Sequence, residues 1–61
     1  MQDDEILTAK EVAKIMKVSL KTVREWVASG DLQVIEIGKR EYRISKQALN
    51  EFIQKRQRKN Q

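Results

Sequence analysis

The sequence predicts a small, mainly helical α+β fold with the order helix-helix-strand-strand-helix. Three observations support this prediction. Residues 8–30 contain two short segments of helical apolar periodicity, residues 32–44 are rich in β-branched side chains, and residues 45–53 return to helical periodicity. The 61-residue chain has no proline and only two glycines, both at predicted element ends, which leaves no room for a linker. We therefore expect a single domain over residues 1–61.

The first helix is predicted to begin at Ala9. Thr8 and Glu11 match a capping box, in which each side chain accepts a hydrogen bond from the backbone amide of the other residue. The apolar residues that follow are spaced three and four positions apart and are expected to form one buried face: Val12, Ile15 and Met16. The charged residues of the segment then fall on the solvated side.

A second helix of about ten residues is expected to start after Ser19, a favourable N-cap residue, and to end at Gly30 in the left-handed conformation. Its predicted apolar stripe is Leu20, Val23, Trp26 and Val27. Trp26 is expected in the core rather than stacked on a nucleic-acid base, because it belongs to this stripe. The predicted outward residues are Lys21, Thr22, Arg24, Glu25 and Ala28.

Two short helices joined by a turn of about three residues are typical of a helix-turn-helix motif, whose second helix enters the major groove of DNA. The alternative is an ordinary helical hairpin with a solvated polar face. The following segment favours the first interpretation. Residues 32–37 and 41–44 read as two strands joined by a turn at Gly38, with Tyr42 and Ile44 facing the helices.

Lys39 and Arg40 are predicted at the tip of this hairpin. A cationic tip beside a helix-turn-helix motif is typical of a wing that contacts phosphates or the minor groove. The alternative is a hairpin whose cations merely protect an exposed strand edge from pairing. The preceding helices favour the wing.

Ser45 is predicted to cap a third helix, whose apolar cluster is Leu49, Phe52 and Ile53. Residues 54–61 offer no apolar side chain for burial, so we expect the ordered core to span about 6–54 and residues 55–61 to fray into a basic tail. Such tails either touch nucleic acid or are simply solvated.

Four segments together carry a family resemblance: LTAKEVA at 7–13, VSLKTVREW at 18–26, IGKR at 37–40 and YRI at 42–44. They resemble the excisionase-type, MerR-like winged helix-turn-helix DNA-binding domain over about residues 6–53. The resemblance implies that the second helix enters the major groove and that the wing contacts the backbone or the minor groove. It implies helix contacts from Ser19, Lys21, Thr22 and Arg24, and wing contacts from Lys39, Arg40 and Arg43.

Composition agrees with a polyanionic partner, because 13 Lys and Arg outnumber 9 Asp and Glu. The absence of cysteine and histidine excludes thiolate and imidazole metal sites and a histidine-based catalytic triad. The carboxylates of Asp3, Asp4 and Glu5 are expected to be a solvated acidic terminus rather than a cation site. We therefore expect no enzymatic activity, no metal and no cofactor. No apolar run approaches the roughly 20 residues of a membrane span, and we expect a cytoplasmic protein.

These patterns predict a double-stranded DNA-binding protein, and the resemblance implies either an excisionase-like recombination accessory factor or a small transcriptional regulator. Arg24 and Lys21 are candidates for base-edge or adjacent phosphate contacts, and Thr22 and Ser19 for phosphate positioning. The expected protein partners are further copies bound cooperatively on repeated sites, or an integrase or other DNA-bound protein. Two alternatives remain open: a protein-interaction adaptor with the same fold, and a generic RNA-binding or polyanion-binding module.

Overall fold

The computed structural model describes residues 5–58 and has the architecture of a small winged helix-turn-helix, which confirms the predicted fold class. Within these residues a three-stranded antiparallel sheet of order β1-β3-β2 is combined with three helices. The elements in chain order are β1 (Ile6–Leu7), α1 (Ala9–Met16), α2 (Leu20–Ser29), β2 (Ile35–Glu36), β3 (Tyr42–Ser45) and α3 (Lys46–Arg58).

Strand β1 is an addition to the predicted order, which begins with a helix. Ile6 pairs with Ser45 and Leu7 with Ile44 in antiparallel register. The Lys46 amide donates to the Glu5 carbonyl oxygen at 2.8 Å and extends this pairing. A strand of two residues shows no alternation in sequence, and its partner strand is distant along the chain. Local pattern therefore could not reveal it.

Helix α1 begins at Ala9, as predicted, and both bonds of the capping box are present. The Glu11 amide donates to Thr8 Oγ1 at 3.1 Å, and the Thr8 amide donates to Glu11 Oε1 at 2.9 Å. The predicted apolar face is wrong at Ile15, which is 54% exposed. Ala13 is buried in its place beside Val12, because α1 turns that side toward α2 and β3.

One apolar core joins the sheet to all three helices. Its buried members are Leu7, Val12, Ala13, Val23, Leu32, Ile44, Leu49 and Phe52. The stripe of α2 is confirmed at Val23, which is fully buried, and at Trp26 and Val27, which are half-buried against this core. Leu20, also predicted in that stripe, lies outside the core cluster and lines an open surface cleft. The Trp26 and Phe52 ring centroids lie 4.7 Å apart, so that α2 and α3 meet through aromatic contact. Trp26 thus packs against the core, as predicted.

Strand β2 is shorter than the predicted strand over 32–37. Leu32 is buried in the core, and its amide donates to the Trp26 carbonyl oxygen at 3.2 Å, which ties it to the end of α2. Ladder pairing then begins at Ile35, opposite Arg43. The predicted inward face of β3 is confirmed, with Ile44 fully buried and Tyr42 half-buried.

Ser45 caps α3 as predicted, since its Oγ accepts from the Ala48 amide at 3.0 Å. The expectation that the chain frays after residue 54 is wrong, because α3 continues to Arg58. The Arg56 guanidinium carbon lies 5.3 Å from the Trp26 ring centroid and 4.9 Å from that of Phe52. Through this contact the last turns of α3 pack against aromatic rings, although they contain no apolar residue that helical periodicity could detect.

Two expectations fall partly outside the described residues. Residues 59–61 of the predicted tail and the carboxylates of Asp3 and Asp4 lie beyond them. Of the predicted acidic terminus the structure describes Glu5, whose Oε1 is 3.6 Å from Lys46 Nζ.

Helices α1 and α2 both end at a residue in the left-handed backbone conformation. Gly30 has φ +87°, as its predicted role requires, and Lys17 at the end of α1 has φ +60° without being glycine. A side chain in this region costs about 1–2 kcal/mol, while glycine adds backbone entropy to the unfolded chain. A substitution is therefore expected to lower stability at Gly30, and a change to glycine is expected to raise it at Lys17.

Replacing Gly30 by Ala is expected to lower the free energy of unfolding by about 1 kcal/mol. No atom lies within 4 Å of the added Cβ, so the loss is conformational rather than steric. Lys17→Gly is expected to raise the same quantity by about 0.5 kcal/mol. Urea denaturation measures both. An unchanged midpoint for the Gly30 variant would contradict this account of the helix ends.

Replacing Arg56 by Ala is expected to lower the free energy of unfolding by about 0.5–1 kcal/mol, because the cation–π contacts with the Trp26 and Phe52 rings are lost. Gln57→Ala is the matched control on an exposed neighbour in the same helix. Equal losses in the two variants would show that the guanidinium contact contributes nothing.

Candidate nucleic-acid interface

The exposed face of α2 lies opposite Val23, which is fully buried. At 3.6 residues per turn, Lys21, Glu25 and Ala28 occupy the centre of that face, and all three are exposed. Arg24 lies on one flank of this face and Thr22 on the other. The predicted helix contacts therefore do not point in one direction.

The start of α2 is fixed by hydroxyl groups. The Thr22 amide donates to Ser19 Oγ at 3.1 Å, and the two hydroxyl oxygens are 3.0 Å apart. The predicted cap at Ser19 is thus confirmed. Ser19 remains exposed and Thr22 half-buried, so both hydroxyls sit at the surface beside Lys21.

The hairpin tip is formed by a tight turn after β2. The amides of Ile37 and Gly38 both donate to the Glu41 carbonyl oxygen, at 3.0 and 3.2 Å. Lys39 and Arg40 are exposed in the loop that these bonds close, as predicted. Within residues 5–58 neither of the two forms an ion pair, so their charges are available to a ligand.

Arg43 is held more closely than the two cations of the tip. Its Nη1 donates to the Tyr42 carbonyl oxygen at 3.0 Å, and its Nη2 lies 3.8 Å from Glu41 Oε2. The Arg43 side chain is 31% exposed, against 64% for Glu41. The guanidinium is therefore oriented by the hairpin itself, while the carboxylate faces water.

An open cleft of about 280 Å³ lies between the hairpin, α2 and the start of α1. We call it the cationic cleft, because four of its lining side chains carry positive charge and one carries negative charge. Its lining residues are Thr8, Ala9, Lys10, Leu20, Arg24, Arg40, Glu41, Tyr42 and Arg43.

The cationic cleft brings together three of the predicted site residues, Arg24, Arg40 and Arg43. The other four predicted site residues do not line it: Ser19, Lys21, Thr22 and Lys39. Lys10 is a further cation of the cleft, and helical periodicity predicts only that it lies on the solvated side of α1. Helical periodicity could not indicate more, because only tertiary packing places the start of α1 beside the hairpin.

No group of three or more acidic, cysteine or histidine residues is placed to hold a metal ion in the described part of the chain. In the same residues no helix has the length and apolar character that a membrane span requires.

The family model described as "Helix-turn-helix domain" matches residues 6–57. The chain belongs to this helix-turn-helix family. No match was found among curated proteins or among solved structures. The chain is accordingly a DNA-binding helix-turn-helix protein, and DNA is its partner. DNA-binding domains of this family are typically non-enzymatic.

In helix-turn-helix proteins the second helix of the motif lies in the major groove, with its first turns nearest the bases. Helix α2 is the second helix of this helix-turn-helix motif. Its exposed face, centred on Lys21, Glu25 and Ala28, is therefore the candidate base-reading surface. The cationic cleft adjoins that surface on the flank that carries Arg24.

Proposed function

We propose that the protein binds double-stranded DNA with α2 in the major groove and with the β2–β3 hairpin acting as a wing on the backbone or minor groove. One observation carries the proposal: Arg24 of α2 lines the same cleft as Arg40 and Arg43 of the hairpin. The helix and the hairpin thus present positive charge on one side of the molecule. A single duplex can meet both.

The cationic cleft suits a phosphate group of the DNA backbone. Lys10, Arg24, Arg40 and Arg43 line it together with one carboxylate, Glu41. Guanidinium groups bind phosphate through paired hydrogen bonds, and an oriented group such as Arg43 loses little conformational entropy on binding. We assign Arg24 to this backbone contact, because it leans from α2 toward the wing.

The remaining predicted residues extend the contact on either side. Lys21 projects from the centre of the exposed face of α2 toward the groove. Ser19 and Thr22 position a phosphate at the start of that helix, where the positive end of the helix dipole favours an anion. Lys39 reaches the backbone or minor groove from the tip of the wing.

The biological role we propose is that of an excisionase-like recombination accessory factor or a small transcriptional regulator of the MerR-like type. Both roles use the same DNA-binding surface. A single domain of this kind buries only about 600–1,000 Å² of protein surface on DNA. Tight binding therefore calls for several copies on repeated sites, or for an integrase or another DNA-bound protein nearby. An integrase gene next to this one favours the recombination role.

Binding of RNA or single strands is the less supported alternative. Proteins that bind single strands stack bases on exposed aromatic rings. In residues 5–58 Phe52 is buried, Trp26 and Tyr42 are half-buried, and Arg56 covers the Trp26 ring. The described surface thus offers no free aromatic platform. Comparison of duplex DNA, single-stranded DNA and structured RNA in one binding assay separates the alternatives.

Affinity for duplex DNA is expected to fall with salt, with a slope of log K against log salt of about −5. This slope corresponds to roughly six phosphate contacts, shared among the cleft, the tip of the wing and the start of α2 in the proposed complex. Fluorescence anisotropy over a series of salt concentrations measures it. A flat response, or tighter binding to RNA than to duplex DNA, would contradict the proposal.

Replacing Arg24 by Ala is expected to weaken binding to every duplex by about 1.5–3 kcal/mol, because one charged contact to the backbone is lost. The salt slope should decrease in magnitude by about 1. Lys55→Ala removes the same charge from an exposed site on α3 outside the cleft and should have a smaller effect. Loss of preference at a single base position in the Arg24 variant would show instead that Arg24 reads a base.

A further inference from the structure

A carboxylate occupies the centre of the surface that α2 offers to DNA. Glu25 is exposed and lies between Lys21 and Ala28 on the face opposite the buried Val23. Lys21 precedes Glu25 by four residues, the spacing of a helical ion pair. The described residues nevertheless contain only the ion pairs Arg43–Glu41 and Lys46–Glu5. The Glu25 carboxylate is therefore accessible to a ligand.

This placement opposes binding to a polyanion unless the carboxylate finds hydrogen-bond donors. A carboxylate only accepts hydrogen bonds at neutral pH. In the major groove the donors are the N4 amino group of cytosine and the N6 amino group of adenine. Adenine also presents its N7 acceptor beside N6, which repels a second acceptor. Cytosine has no acceptor of its own on that edge and is the better partner.

The neighbours of Glu25 favour a close approach to the bases. Ala28, one turn later on the same face, is too small to hold the helix away from the groove floor. Lys21, one turn earlier, is a donor that suits the O6 and N7 acceptors of guanine. The acceptor Glu25 and the donor Lys21 thus lie on successive turns of one helix face. This arrangement suits a cytosine, which offers a donor in the major groove, and a guanine, which offers acceptors.

We propose that Glu25 is a specificity-determining residue that accepts a hydrogen bond from the N4 amino group of a cytosine in the major groove. The inference rests on the proposed function, since it requires α2 in that groove. Cations of the cationic cleft attract any DNA sequence, whereas Glu25 weakens binding wherever no amino group faces it. Selectivity then arises from a repulsive group as much as from an attractive one.

The test begins with selection of duplexes from a random library by the wild-type protein, followed by affinities for the selected site and its single-base variants. At one position cytosine should be preferred by roughly 5- to 150-fold. Glu25→Gln should move the preference at that position to adenine, because an amide side chain pairs with N6 and N7 of adenine. Every other position should keep its preference. Binding to random duplex should become tighter, since a negative charge is lost.

Two further variants control this experiment. Glu25→Ala should lose the preference at the same position without gaining a new one. Glu51→Gln makes the same charge change at an exposed residue of α3, and should leave both the preference and the affinity for random duplex unchanged. Circular dichroism of each variant checks that the fold is retained, as expected for exposed positions.

The outcomes separate this inference from the proposed function. If the wild-type protein binds duplex DNA selectively and Glu25→Gln keeps every base preference, the assignment of Glu25 is overturned while DNA binding by α2 stands. If the wild-type protein binds duplex DNA without base preference, the assignment also fails. If it binds no duplex DNA, the proposed function fails with it.

Discussion

The structure depends on the close packing of α1 against α2 over strand β3. Helices of 8 and 10 residues are marginal in water on their own, so their stability must come from the contact between them. Val12 and Val23 are fully buried at that contact, and the small side chain of Ala13 allows the two backbones to approach. Ile44 closes the contact from the sheet, also fully buried. Because this packing buries one side of α2, the opposite side stays exposed, and it is the side that we propose binds DNA.

Strand β3 connects that contact to the wing. It is the central strand of the sheet, paired with β1 on one edge and β2 on the other, and α3 follows it directly. Its inward residue Ile44 belongs to the core, while Arg43 next to it faces the cationic cleft. One short strand thus sets the position of the hairpin cations relative to Arg24. The affinity for DNA that we propose is a consequence of this core geometry.

Features encoded by neighbouring residues could be read from the sequence. The caps at Thr8, Ser19 and Ser45 and the left-handed end at Gly30 depend on local hydrogen bonds and backbone conformation, and the structure confirms them. Features that depend on distant contacts could not. Strand β1, the exposure of Ile15, the helical residues up to Arg58 and the place of Lys10 in the cleft all arise from tertiary packing. Of the cations of the cleft, Arg24, Arg40 and Arg43 could be singled out from the sequence, whereas Lys10 and the common location of all four could not.

In the binding mode that we propose, the exposed face of α2 and the hairpin contact one duplex together. Amide chemical-shift mapping during titration with a duplex oligonucleotide is the decisive measurement, because each residue reports separately. The largest shifts should fall at residues 19–28, at 38–43 and at Lys10, and the solvent face of α3 should change little. Shifts confined to α3, or shifts in the hairpin without any in α2, would contradict it.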